Sequence, residues 1–558
     1  ERGFRTRISC LTNTMRAIWS LALALLAGQV GAVAIKARLV PANHTPANVA
    51  SDEITKIYLR KGGEVARAGS AGARWEIDGH GPAWTRFEGE VWGLRFKAGE
   101  EFAVEYVNQL DEPSAIHGHG MIPPYTLDGV PFVDAPPIEA GRSALYVYEL
   151  EEEVIGTHWL HSHYGFQHEL GLAVPLVVDG PMPVDYPRAK QIDKLTDVVL
   201  FLEDFCSFAK DEPDGNQGCM DPHGVYKVLH DTWKVERPDF DFSECQPAGE
   251  GSGTWDVGYR QHLANEREAH DPVAVLVDAD TSQLRLRIIN AADMSNYRVD
   301  LGQLTGELIA TDGHPVAPHE GAVWWTAIGQ RMDVVVDVPT TPGAYAITAV
   351  SEGDVMDAHV RQSVLVLVVG GEKHLPPPGT YSAVPLEAPG MMRGEAELAL
   401  RAWAPLPPPT GPVKRFEINS TGDNGFMSIN NGQWQLPPEA ATYHPNPSPM
   451  LIESGDHVCV LIRNYNKDSH PFHLHGHVFQ VVAIGDVDFK GPMRDTVLVD
   501  AGECATTEIC FLATHPGVWP FHCHMSYHLA AGMLTSFEYV EADAENGGTR
   551  ASPAATLN

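Results

Sequence analysis

Histidine is unevenly spread along this chain. Four His-rich segments form two widely separated clusters. The first joins Ile116-His117-Gly118-His119-Gly120 with Gly156-Thr157-His158-Trp159-Leu160-His161-Ser162-His163. The second joins His470-Pro471-Phe472-His473-Leu474-His475-Gly476-His477 with His522-Cys523-His524-Met525-Ser526-Tyr527-His528, ending at Met533. Random placement of 26 His in 558 residues gives about one His-x-His pair, and five occur. Residues i and i+2 of a strand face the same side. Each pair can therefore aim two imidazoles at one metal ion or at two neighbouring ions. Neutral imidazole is the commonest metal ligand. It suits copper as well as zinc, iron and nickel.

The last segment identifies the metal. Cys523, His528 and Met533 are spaced C-x4-H-x4-M. One thiolate, two imidazoles and a weak axial thioether make a blue-copper electron-transfer site. The second imidazole must come from elsewhere, and His470 is the natural donor. Structural zinc sites use paired Cys or a C-x2-C spacing, which this chain lacks.

These segments, in this order, resemble the three-domain multicopper oxidases, the family of laccases, ascorbate oxidases, ferroxidases and copper-resistance oxidases. The resemblance runs from about Arg74 to Val540. It implies four copper ions: one type 1, one type 2 and a type 3 pair. By resemblance, His470, Cys523 and His528 bind the type 1 copper, with Met533 axial. His117 and His473 bind the type 2 copper. His119, His161, His163, His475, His522 and His524 bind the type 3 pair. His477 is a family non-ligand. His158 is read as structural. The type 2 and type 3 ions together form a three-copper cluster that reduces dioxygen to water. Cys523 is covalently flanked by His522 and His524, which gives electrons a short route to that cluster.

Two departures from the family pattern matter. Gly118 stands where the family usually has Trp, so packing there is expected to loosen and open space. Many relatives carry a carboxylate between the last two histidines, thought to supply protons. Met525, Ser526 and Tyr527 stand there instead. Asp128 matches the family's other acidic residue near the cluster and becomes the main proton-relay candidate. Its Asp-Gly context also reads as an ordinary turn.

The fold class expected is all-β, as three consecutive cupredoxin-like Greek-key β-sandwiches. Short β-type runs such as Phe102-Ala103-Val104-Glu105-Tyr106-Val107 recur between turn residues, and 52 Gly with 42 Pro supply the turns. The first domain is expected at 54–185, the second at 193–371 and the third at 414–541. The second carries no ligand motif, so its expected job is spacing with a share in the substrate rim. Residues 542–558 read as a disordered tail.

Residues 15–34 read as a secretory signal peptide: a charged start, an apolar run from Ala17 to Ala27, and Ala32-Val33-Ala34. The run is too short to span a membrane, so a secreted, extracytoplasmic protein without a stable membrane anchor is expected. Six cysteines besides Cys10 and Cys523 permit disulfides, grouped as Cys206, Cys219 and Cys245, and as Cys459, Cys504 and Cys510. A formal charge of −34 argues against nucleic acid as a partner and favours the approach of cations.

The expected activity couples four one-electron oxidations of a small donor to the reduction of dioxygen. A phenol and low-valent Fe(II), Cu(I) or Mn(II) are both open as donors. A metal oxidase needs acids near the type 1 site, and Glu203, Asp204, Asp211, Glu212 and Asp214 offer them in the second domain. The contrasting reading is a non-catalytic copper-binding protein, whose relatives typically lose ligands that this chain keeps.

Overall fold

The computed structural model describes residues 38–41, 54–61, 74–205, 259–352, 362–381, 390–432, 449–541 and 549–550, apart from a few single positions within those stretches. The expected signal peptide and Cys206, Cys219 and Cys245 lie outside them. So does most of the tail, although Thr549–Arg550 pairs with the strand Leu534–Glu541.

Runs such as Gln362–Val369 (QSVLVLVV), buried on both faces, are strands because β-branched residues pack well on a pleated surface. Six sheets form in sequence order as three pairs. Two five-stranded sheets make the first sandwich, a seven- and a five-stranded sheet the second, and a seven- and a six-stranded sheet the third. Parallel pairings of distant strands, such as Ile54–Lys61 on Glu101–Asn108, give the Greek-key crossovers. The cores are apolar. Ile57, Val104 and Leu176 lie in the first, Leu286, Val334 and Leu367 in the second, and Val460, Phe472 and Phe521 in the third. Each such buried Val, Leu, Ile or Phe contributes about 1.5–3 kcal/mol over leaving it exposed. The described helices are short, such as Ser526–Ala530 and the 3-10 segment Gly394–Ala399. No helix among the described residues is long and apolar enough to cross a membrane.

Strand alternation positions the site. In Val518–Cys523, Phe521 and Cys523 belong to the third core, while His522 points to the opposite face. Its neighbour His470–Leu474 is in register, with Phe472 opposite Cys523 and His473 opposite His522. The first sandwich repeats the device. Ile116–His119 pairs with Gly156–Ser162 so that His117 faces His161 and His119 faces Trp159. Ile116 and Leu160 enter the first core, and the histidines point outward to the seam between the first and third sandwiches.

Cys459 and Cys510 stand opposite each other on adjacent strands and form a disulfide. Cys504 also belongs to a disulfide. Cys523 is a free, buried thiol.

Candidate metal centres

One centre lies inside the third sandwich. Cys523 Sγ is 3.6 Å from both His470 Nδ1 and His528 Nδ1, and those nitrogens are 3.0 Å apart. The three side chains are fully buried. The side-chain amide of Asn466 holds His470 from behind, 2.7 Å from Nε2. The Met533 backbone bonds both neighbours, donating to the His528 carbonyl and accepting from the Cys523 amide. Met533 is completely buried in the same core.

The other centre fills the seam. His117 Nδ1 donates to the Asp128 carbonyl at 2.8 Å, and His473 Nδ1 to the Asp495 carbonyl at 2.8 Å. His161 Nδ1 donates to the Ser162 carbonyl at 3.1 Å. These bonds fix the tautomer and leave each Nε2 bare. The Nε2 atoms of His117, His161, His163 and His473 are buried without any hydrogen-bond partner. Four buried polar atoms of one kind left unpaired in one place are costly unless a cation binds them.

The contacts between rings say the same. His475 Nδ1 donates to Asp128 Oδ2 at 2.6 Å, and His522 Nδ1 donates to the Cys523 carbonyl at 2.8 Å. Both Nε2 atoms are therefore lone-pair acceptors, yet they stand 2.8 Å apart. Two lone pairs cannot hydrogen-bond each other. Two imidazole nitrogens each about 2.0 Å from one first-row metal ion are held about 3 Å apart. His119 Nδ1 and His524 Nε2, 3.1 Å apart, show the same spacing. Ligand atoms also converge within 4.8 Å in the groups His163/His475/His522, His117/His119/His161, His117/His473/His475 and His470/Cys523/His528.

The electrostatics suit ligation. Burial, and then repulsion among neighbouring imidazoles, pushes His119, His161, His163, His473, His475 and His524 well below their ordinary 6.5. His522 is pushed down to about 4, chiefly by burial. All are neutral at physiological pH, the form a metal requires.

The expected histidine ligands and Cys523 thus converge in these two centres, and Met533 lies buried in the core that holds Cys523. Two non-ligand histidines are engaged elsewhere. His477 spends its ring nitrogens on the Tyr539 hydroxyl and the His475 carbonyl. His158 Nε2 bonds the Val154 carbonyl, and its Nδ1 faces Arg331. The expected open space at Gly118 is not there. Met121 turns back to fill it, and a Cβ at 118 would lie 3.0 Å from Met121 Cγ. Glu203 and Asp204 do not form a cation-binding rim either. Glu203 is buried against Arg74, and buried Asp204 accepts from the backbone amides of Asp293 and Met294. Asp211, Glu212 and Asp214 lie outside the described residues.

Several residues at the centres carry no sequence motif. Carboxylates absent from 525–527 come from neighbours: the Tyr527 hydroxyl donates to Glu169 Oε2 at 2.6 Å, and Ser526 bonds Asp293. Burial, then Asp293, pushes the Glu169 carboxyl well above the usual range. Asp495 and Thr496, which touch the His119 and His473 rings, were also missed, as was Arg331, which grips Asp495. Their one sequence signal is charge beside apolar strand runs, as in Arg494-Asp495 ahead of Thr496-Val497-Leu498-Val499.

Comparison with known proteins agrees with this geometry. Three multicopper oxidase domain models match residues 75–182, 237–371 and 408–543. The multicopper oxidase MmcO of Mycobacterium tuberculosis is 26% identical over 456 residues, covering 80% of this chain and 81% of its own. The iron transport multicopper oxidase fio1 of Schizosaccharomyces pombe is 26% identical over 525 residues, covering 87% and 75%. The crystal structure of a laccase from Botrytis aclada superposes with a TM-score of 0.64 at 21% identity, covering 87% of this chain and 86% of that one. The cofactor is copper, in type 1, type 2 and type 3 centres, and the buried bare nitrogens fit it. The chain belongs to the multicopper oxidase family, copper-dependent oxidoreductases that use oxygen.

Proposed function

We propose that this protein is a secreted oxidase that draws single electrons from a small, easily oxidised donor at a site on the third sandwich and delivers them to dioxygen at the seam. His470, Cys523 and His528 would hold the type 1 copper, with Met533 as a thioether donor. His117 and His473 hold the type 2 copper. His163, His475 and His522 hold one type 3 ion, and His119, His161 and His524 the other. Bound copper supplies one-electron redox cycling and, at the three-ion cluster, the four-electron reduction of dioxygen to water.

The observation that carries this reading is the alternation of Val518–Cys523. Cys523 faces the core and His522 the seam, and a single peptide links them. The Cys523 carbonyl also accepts from His522 Nδ1, which adds a hydrogen-bonded route beside the covalent one. Asp128 does two jobs. Its carboxylate orients His475 and, 1% exposed beside His117 and His475, it can hold and pass a proton.

The donor is an electron-rich phenol or low-valent Fe(II), Cu(I) or Mn(II). A thioether donor at Met533 would keep the type 1 potential moderate, which favours readily oxidised donors. A net charge of −34 draws cations. The resemblance to fio1, named for iron transport, supports a metal donor. The resemblance to Laccase-1 of Botryotinia fuckeliana, 23% identical over 493 residues, supports a phenol. Secretion is supported by the leader-like 15–34 segment and by the Cys459–Cys510 disulfide. Oxygen uptake should be measured with a phenol, Fe(II), Cu(I) and Mn(II) in turn. At least one should give four donor equivalents per dioxygen without peroxide. No uptake with any of them would reject this donor range.

A further inference from the structure

The second sandwich supplies none of the ligands, yet it reaches the copper seam. Its turn Gly329-Gln330-Arg331 packs on the ligand rings. A Cβ at Gly329 would lie 3.0 Å from His119 Cε1 and 3.2 Å from His524 Cδ2. Arg331 is completely buried. Its guanidinium grips Asp495 of the third sandwich in a two-point fork, Nη1 to Oδ1 at 2.7 Å and Nη2 to Oδ2 at 2.6 Å. Its Nε donates to the Thr157 carbonyl of the first sandwich at 2.9 Å. The first His-x-His-Gly segment closes over the fork. A Cβ at Gly120 (φ 84°) would lie 2.2 Å from Arg331 Nη2, so no other residue fits there without displacing the guanidinium.

Asp495 acts on two ligand rings in opposite senses. Its carboxylate Oδ1 accepts from His119 Nε2 at 3.1 Å, which leaves His119 Nδ1 bare and facing His524. Its backbone carbonyl accepts from His473 Nδ1 at 2.8 Å, which leaves His473 Nε2 bare. Thr496 Oγ1 lies 3.2 Å from the same nitrogen of His119 and 3.1 Å from that of His473. One dipeptide thus selects the Nε2–H tautomer of a ring from the first sandwich and the Nδ1–H tautomer of a ring from the third. Which nitrogen of an imidazole meets a metal is decided by what its other nitrogen bonds.

We propose that Arg331 and Asp495 form a clamp through which the ligand-free second sandwich sets the tautomer and aim of His119 and His473. Both are positioning residues. The clamp rests on the ligand assignment above, because it acts on rings assigned to the type 2 and type 3 ions. Asp495→Asn places an amide N–H against the Arg331 fork or the His119 N–H and removes the charge that both donors need. Arg331→Met removes the fork. Arg331→Lys keeps the charge and loses the two-point geometry.

The test uses the copper-loaded full chain and three readouts: blue absorption, the type 2 EPR signal, and the rate at which dioxygen reoxidises fully reduced protein. Asp495→Asn and Arg331→Met should keep the blue absorption. They should alter or empty the type 2 signal and slow reoxidation about 10- to 100-fold, the usual cost of losing an outer partner of a metal ligand. Arg331→Lys should fall between Arg331→Met and wild type. An unchanged type 2 signal and reoxidation rate in both main variants would overturn the clamp. So would loss of the blue absorption along with the rest, since the pair would then be serving the whole fold. Wild-type protein lacking a type 2 signal would overturn the ligand assignment itself, and the clamp with it.

Discussion

The two faces of one sheet in the third sandwich do different jobs. The core face carries His470 and Cys523 among Phe472, Phe521 and Tyr539, within a single hydrophobic core. The seam face carries His473, His522 and His524, which meet rings from the first sandwich and a turn from the second. The ligands of the core-face site all come from the third sandwich. Those of the seam-face site come from the first and third together, with a turn of the second packed on them. On the proposed assignment, electron entry sits in an apolar core, whereas dioxygen chemistry sits at an interface whose upkeep involves charged residues. The seam holds Arg331–Asp495, Arg494–Glu397 and Arg494–Asp312, all buried. Breaking one such pair by removing a partner costs about 3–5 kcal/mol, so single changes at residues that bind no copper can open the seam and spare the core.

The strongest way to break the comparison is at the residue that belongs to one face and borders the other. Cys523→Ser should abolish the blue colour and all donor oxidation, because a hard hydroxyl is a poor substitute for a soft thiolate. Its seam histidines are untouched, so the three-copper cluster should still fill. Copper analysis with an absorption spectrum checks both. Intense blue absorption in the variant would remove Cys523 from the core-face site.

Asp128→Asn probes the seam face. An amide still accepts from His475 but cannot relay a proton at neutral pH. Turnover should fall about 10- to 100-fold with copper content unchanged, read as kcat across pH. A wild-type rate at every pH would reduce Asp128 to an orienting and turn residue. Glu169 and Tyr527 would then become the relay.

Those outcomes bear on how much could be read beforehand. The ligands were legible because strand alternation spaces them two apart, and the C-x4-H-x4-M run spans one turn of structure after Cys523. The all-β class was legible from the short β-branched runs. What escaped was held by contacts between single residues of common type. Asp495 meets His119 across 376 positions, and Glu169 meets Tyr527 across 358. Nothing local marks either. Gly118 misled for the opposite reason. The gap it leaves is filled by Met121 three residues on, where an amide-to-carbonyl turn back to Gly118 brings the side chain over.

Acid should separate the faces more gently. A cavity of about 660 Å³ between the three sandwiches is lined by His314, His477 and His515, among others. Burial pushes His314 and His515 from 6.5 down to about 4. Between those values the unfolded chain binds more protons than the folded one. The stability they contribute is therefore complete above pH 6.5 and is lost as pH falls toward 4. The seam should loosen first, so type 2 and type 3 copper should leave at a higher pH than the blue absorption fades. Simultaneous loss of both would contradict a separate core and seam.

The smallest expected effect lies within the core face. Met533→Leu keeps similar volume and removes the donor atom, so packing should change little. The type 1 potential should rise, because the thioether stabilises the oxidised ion, while the colour persists and oxidation-resistant phenols improve as substrates. An unchanged potential in a redox titration would take Met533 out of the site.

The most direct test of a core-face site joined to a seam-face cluster is the copper content of the purified full chain. Four ions per chain are expected, one of them blue. A single blue ion, with the seam histidines left bare, would contradict that arrangement.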